Sequence, residues 1–177
     1  MIEKCTFDLQ APRIKERTKL ILVKTESETR EHVVLKLLAY LIFYDPRLRV
    51  EAAVPLHYQP DLVIEKEHGG MEMWIDCGYI AVKKAETVPK KLKNTRVVFM
   101  KKTLREMEQF RRALSEETLK CQNLQFLAFD PGFVEGIAGS VQRTNEVTLY
   151  PVMEGVIAVA INDQIFESHL HWNPAPA

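Results

Sequence analysis

The chain has 177 residues, 46% of them hydrophobic and 27% charged, and its 24 acidic and 24 basic side chains leave no net charge at pH 7. Apolar content this high with so little net charge excludes disorder as the main state, and the length suits one domain over residues 1–177. A membrane helix is excluded as well, because the longest apolar-rich stretch, Leu35 to Tyr44, is about half of what a bilayer needs and carries Lys36.

Lys4 to Leu9 and Lys19 to Lys24 read as two strands around a polar turn. A helix follows. Thr25-x-x-Glu28 is a capping-box pattern, with Ser27 as an alternative cap, and Val34, Leu35, Leu38, Leu41 and Ile42 recur at helical spacing to about Tyr44. Asp45-Pro46 ends it, and Arg47 to Val54 reads as a strand. Asp61 to Glu65 and Met71 to Ile75, joined through Gly69-Gly70, mark a β-hairpin. Residues 82–93 read as a helix broken by Pro89. Thr95 to Met100 reads as a buried strand, Thr103 to Leu114 as a helix capped by its threonine, and Leu124 to Phe129 as a second buried strand. Asp130-Pro131-Gly132 turns into a short helix. Glu146 to Tyr150, Val156 to Ile161 and Ile165 to His171 read as an antiparallel meander. The order predicts a mixed α/β (α+β) fold, a central mixed sheet with helices on its faces and a C-terminal meander.

Met1 to Cys5 has no basic head followed by an apolar core, so no secretory leader is read there. Cys5, Cys77 and Cys121 are odd in number and far apart, which fits neither a disulfide framework nor a metal-ligand pair. The expected compartment is the reducing cytoplasm.

Zero net charge hides an asymmetry. Residues 83–112 hold eleven basic side chains against Glu86, Glu106 and Glu108, a net +8 that leaves −8 elsewhere. Such a segment either attracts phosphate, and so DNA or RNA, or forms solvated helix faces.

The acids carry the chemistry. With the hairpin turn centred on His68-Gly69, facing residues sum to 137 and Asp61 stands opposite Asp76. Two carboxylates on one face share a proton or hold a cation, and Mg²⁺ is the hard cation that one or two carboxylates bind beside a substrate phosphate. A slip of one residue places them on opposite faces instead. Glu31 lies in line with the apolar stripe of its helix, either facing the sheet or favouring the helix dipole. Lys83 and Lys84, just after Asp76, are placed to lean back over the acidic pair or to lie at the surface. The five histidines form no metal-ligand motif, and no phosphate loop or nucleophile elbow is present. Cys77 reads as a buried small residue, and Trp74 and Trp172 read as packing.

Taken in order, Ser27-Glu-Thr-x-Glu31 with Leu37-Leu-Ala-Tyr-Leu41, Met73-Trp-Ile-Asp-Cys-Gly78, Lys83-Lys-Ala85, Gly155-Val-Ile and Leu170-His-Trp-Asn173 resemble the YaeQ family over about residues 2–173. The resemblance implies a restriction-endonuclease-like fold of the PD-(D/E)xK kind. Pro60-Asp61 then looks like its PD element, Asp76 like the following acid and Glu31 like the helix acid. The lysine expected two residues after Asp76 is replaced by Gly78, and Lys84 or Lys83 looks like its migrated counterpart. The implied function is Mg²⁺-dependent phosphodiester hydrolysis, with Asp61 and Asp76 as metal ligands. The alternatives are a nuclease fold kept as a nucleic-acid-binding or regulatory module, or a protein-interaction partner using exposed edge strands.

Overall fold

The computed structural model describes residues 3–174, so the leader reading at Met1 and Ile2 lies outside the described residues. The chain runs β1 (Glu3–Gln10), β2 (Thr18–Lys24), α1 (Arg30–Ile42), β3 (Arg49–Val50), β4 (Leu62–Glu65), β5 (Met71–Cys77), α2 (Val82–Lys91) and β6 (Arg96–Met100). It continues through α3 (Leu104–Arg112), α4 (Glu116–Leu119), β7 (Leu124–Ala128), α5 (Phe133–Ser140), β8 (Thr144–Leu149), β9 (Val156–Ile161), β10 (Gln164–His169) and β11 (His171–Asn173).

The central mixed sheet has the order β11-β7-β6-β5-β4-β3, with β5, β6 and β7 parallel and the outer strands antiparallel. The terminal strands form a second mixed sheet, β10-β9-β8-β1-β2, instead of flanking the first. The expected meander is β8-β9-β10, and its first strand pairs in parallel with β1, a contact between the two ends of the chain.

Helix α1 lies between the sheets. Its Val34, Leu37, Leu38 and Leu41 share one core with Phe7 and Leu22 of the second sheet, Leu62, Ile75 and Val98 of the central sheet, and Val134 and Ile137 of α5. A second core on the other face of the central sheet joins Trp74, Val97, Phe99 and Phe126 to Ala85 and Val88 of α2 and Met107 of α3. Parallel strands covered on both faces read as continuous apolar runs, which is how β6 and β7 appear in the sequence.

Several local expectations shift. Thr25 and Glu28 do bond, Thr25 N and Oγ1 each donating to Glu28 Oε2 at 2.9 Å, but they close a turn before the helix. The N-cap of α1 is Thr29, whose side chain accepts from His32 N. The strand read over residues 47–54 shortens to Arg49–Val50, because Glu51 leaves it with a left-handed φ of 53°. Pro89 does not break α2. It sits in the last turn, where one donor is lost, and the cap N–H of Leu92 still reaches Val88 O. α4 and β11 add two short elements that the sequence pattern does not announce.

Lys36 is the buried exception in α1. It is 0% exposed, and its ammonium donates to Glu28 Oε1 at 2.6 Å and to Glu51 Oε1. Burial alone would raise the Glu28 pKa, but hydrogen bonds from Lys36 and Thr25 outweigh it and hold the carboxyl at about 2. A depressed folded-state pKa means that this stability is complete above pH ~4.5 and is lost as pH falls through about 2. Replacing Lys36 with Met leaves Glu28 without its cation. Urea denaturation at pH 7 is expected to show a loss of about 3 kcal/mol for Lys36→Met, with a shallower acid dependence below pH ~4.5.

Candidate functional site

The site is built at the open end of the β4–β5 hairpin. Leu62, Val63 and Ile64 pair with Ile75, Trp74 and Met73, all sums of 137, so the register predicted from the turn holds and Asp61 arrives beside Asp76. A bulge between Ile64 and Glu65 absorbs the irregularity near the turn, away from the acids.

Asp76 points into the α2 side of the sheet and is 1% exposed. Its Oδ1 accepts from Lys84 Nζ at 2.6 Å and its Oδ2 from Trp74 Nε1 at 2.8 Å. Lys84 Nζ also donates to Gln59 O at 2.7 Å and lies 5.7 Å from the Trp74 ring centroid. Burial pushes the Asp76 pKa up, Lys84 and Trp74 pull it down, and the negative charge of Asp61 raises it again; the net direction is upward. The structure therefore brings Asp61, Asp76 and Lys84 together, and it separates Lys84 from Lys83, which is exposed.

Asp61 turns to other partners. Its Oδ2 accepts from Cys77 N at 2.7 Å and lies 3.4 Å from His32 Nε2. The other imidazole nitrogen, Nδ1, is 3.1 Å from Glu28 Oε1. His32 thus spans the two carboxylates, and Glu28 in turn holds buried Lys36. Sequence reasoning missed this relay. Capping and the helix dipole account for Glu28 in the sequence, and the i, i+4 spacing of Glu28 and His32 is the signal that points further.

Glu31 does not join the acid pair by any contact. It lines a cleft of about 640 Å³ with Glu28, His32, Gly78, Tyr79 and Lys102. Gly78, two residues after Asp76, has a φ of 71°, a left-handed conformation that strains any side chain. Lys101, at the end of neighbouring β6, covers this position, donating from Nζ to Gly78 O at 2.5 Å and lying 3.7 Å from the Phe110 ring centroid.

The basic segment is largely absorbed by the fold. Lys84 pairs with Asp76, Lys90 with Glu117, and Lys102 with Glu106 and Glu135, while Arg96 and Arg111 lie over aromatic rings. Lys83, Lys91, Lys93, Arg105 and Arg112 remain exposed.

Among the described residues no group of three or more His, Cys, Asp or Glu side chains is arranged to hold a metal. Two carboxylates nevertheless match Mg²⁺, which is commonly held by one or two of them with water and substrate phosphate completing the shell. Asp61 Oδ1 accepts no hydrogen bond from the described residues, and a carboxylate offers about four lone-pair sites, of which Trp74 and Lys84 use two on Asp76.

The comparisons with known proteins agree with the fold. A family model described as YaeQ protein matches residues 11–170. Proteins described as uncharacterized protein YaeQ from Escherichia coli K12 and Salmonella typhi are 34% and 32% identical over 59 residues, a stretch covering 33% of this chain and 33% of each relative. Crystal structures of YaeQ proteins superpose over 99% of the chain: that from Pseudomonas syringae at 18% identity, TM-score 0.79 and 96% coverage of its own chain, and that from Xanthomonas axonopodis pv. citri at 19%, 0.76 and 98%. No helix among the described residues is long and apolar enough to cross a membrane.

Lys101 supplies a direct test of the site's electrostatics. It is 6% exposed, and burial lowers its pKa to about 8 against the smaller opposing pull of Glu106 and Asp76. The unfolded chain binds more protons than the folded one between pH ~8 and ~10.5, so stability rises with pH across that window. Denaturation midpoints measured from pH 7 to 10.5 are expected to climb for the unaltered protein and to flatten in Lys101→Met.

Proposed function

The chain belongs to the YaeQ family, and from that membership and the geometry at the hairpin end we propose that it is a Mg²⁺-dependent phosphodiesterase acting on DNA or RNA in the cytoplasm. The observation that carries this reading is the convergence of Asp61, Asp76 and Lys84, with Lys84 Nζ 2.6 Å from Asp76 Oδ1 at the carboxyl end of a parallel strand. This is the arrangement expected of a PD-(D/E)xK site whose lysine has moved to the following helix.

In this reading Asp61 and Asp76 would hold the metal. A bound Mg²⁺ supplies polarisation of the phosphoryl oxygen and a more acidic water. Lys84 contributes a fixed positive charge beside the attacking water and the developing phosphoryl charge. Trp74 Nε1–H and the Cys77 N–H hold the two carboxylates in orientation, each by one hydrogen bond. His32 steadies Asp61 from the α1 side, and Glu31 faces the cleft through which substrate would approach. The basic side chains still exposed on α2 and α3 would meet the sugar-phosphate backbone.

A second reading, a nuclease fold kept as a nucleic-acid-binding or regulatory module, draws on the near-complete burial of Asp76 and its ammonium partner. The two separate cleanly. With Mg²⁺ or Mn²⁺ the purified protein is expected to cleave single- or double-stranded DNA or RNA, and Asp61→Asn or Asp76→Asn to reduce the rate at least about 100-fold with unchanged circular dichroism. Salt-dependent binding without cleavage of any nucleic-acid form establishes the second reading instead.

A further inference from the structure

We propose that Arg96 and Lys93, at the amino end of β6, form a binding site for a phosphate group, at the opposite end of the strand from the Asp61–Asp76 site. Arg96 lies against the corner formed by two rings, its Cζ 5.4 Å from the Phe43 centroid and 5.8 Å from that of Trp172. Those rings meet edge to face at 5.9 Å, so the corner is itself packed. Nε donates to Gln125 Oε1 at 2.7 Å, which fixes the remaining rotation of the guanidinium.

Three features make this a recognition site instead of a packing detail. Among the described residues no carboxylate pairs with Arg96 and none of its terminal nitrogens has a hydrogen-bond acceptor, although the side chain is half-buried. A half-buried cation without a counter-charge bears a desolvation cost that a bound oxyanion offsets. The cavity beside it, about 510 Å³, is walled by Lys93, Asn94, Thr95, Arg96, Gln122 and Gln125 and contains no acidic side chain. Two cations, one a flat fork and one a mobile point charge, with amide donors around them, suit a phosphate dianion.

The closing segment Leu170–Asn173 acquires a purpose here. Nothing in the hydrolytic site uses it, yet β11 pairs with β7 and so sets Trp172 against Arg96. Packing against the two rings, with the Gln125 hydrogen bond, pre-orients the guanidinium, so little side-chain freedom is lost on binding.

Isothermal titration of inorganic phosphate into the intact protein, in EDTA and against chloride at matched ionic strength, tests the site. Saturable binding is expected, weakened at least about 10-fold in Arg96→Gln, less in Arg96→Lys, and about 3-fold in Lys93→Gln. Lys93 is exposed, so its variant reports on binding even if loss of the Arg96 packing disturbs folding. A 5′-mononucleotide and an oligonucleotide without terminal phosphate identify the source: tighter binding of the former assigns a terminal or free monoester, and of the latter the nucleic-acid backbone. Heats no different from chloride, or affinity unchanged in both Arg96→Gln and Lys93→Gln, overturn the proposal. Without divalent cations no hydrolysis enters the measurement, so this site and the hydrolytic one stand or fall separately.

Discussion

A lysine in the middle of an enclosed helix constrains this molecule more than any other side chain. Because α1 lies between two sheets, Lys36 has no route to water, and its charge must be met inside. Glu28, in the turn before the helix, and Glu51, after β3, supply that charge. Each is thereby tied to the neighbourhood of the acids. Glu28 holds one nitrogen of His32, whose other nitrogen faces Asp61, and Glu51 donates its N–H to Asp61 O at 2.7 Å. Glu51 reaches Lys36 from a left-handed backbone, with a φ of 53°. One buried charge thus positions two loops and, through them, one of the two aspartates.

The other aspartate is held from the opposite face. Asp76 belongs to the core that α2 covers, where Trp74 and Lys84 use one oxygen each. The strand end is therefore clamped between a relay on the α1 side and an ion pair on the α2 side. This division explains how two carboxylates sit side by side in one register: each has its own donors, and the Asp76 pKa is raised first by burial, with the charge of Asp61 a smaller push in the same direction.

The lysines illustrate how position and role part company. Gly78, two residues after Asp76, adopts a left-handed conformation that suits glycine. Lys84 reaches Asp76 from the next helix, and Lys101 reaches the Gly78 carbonyl from the next strand. Two ammonium groups from different elements thus converge on the end of β5. Lys84 forms an ion pair with Asp76, whereas Lys101 donates to a neutral carbonyl, and burial lowers its pKa.

Local pattern alone determined the mixed fold, most strand positions and the pairing of Asp61 with Asp76, because the hairpin register follows from turn length and alternation over a dozen residues. The capping box was legible as a bonded pair, but not its location one turn before the true cap, since Thr25 and Thr29 offer similar signals. What only the tertiary structure decided lies across long sequence separations. The division into two sheets rests on β1 meeting β8, the His32 relay on α1 meeting the hairpin, and the seat of Arg96 on Phe43 and Trp172 meeting from distant elements. Pattern carries no record of such meetings, because helical and strand periodicity specify which side of an element is buried and not what it is buried against.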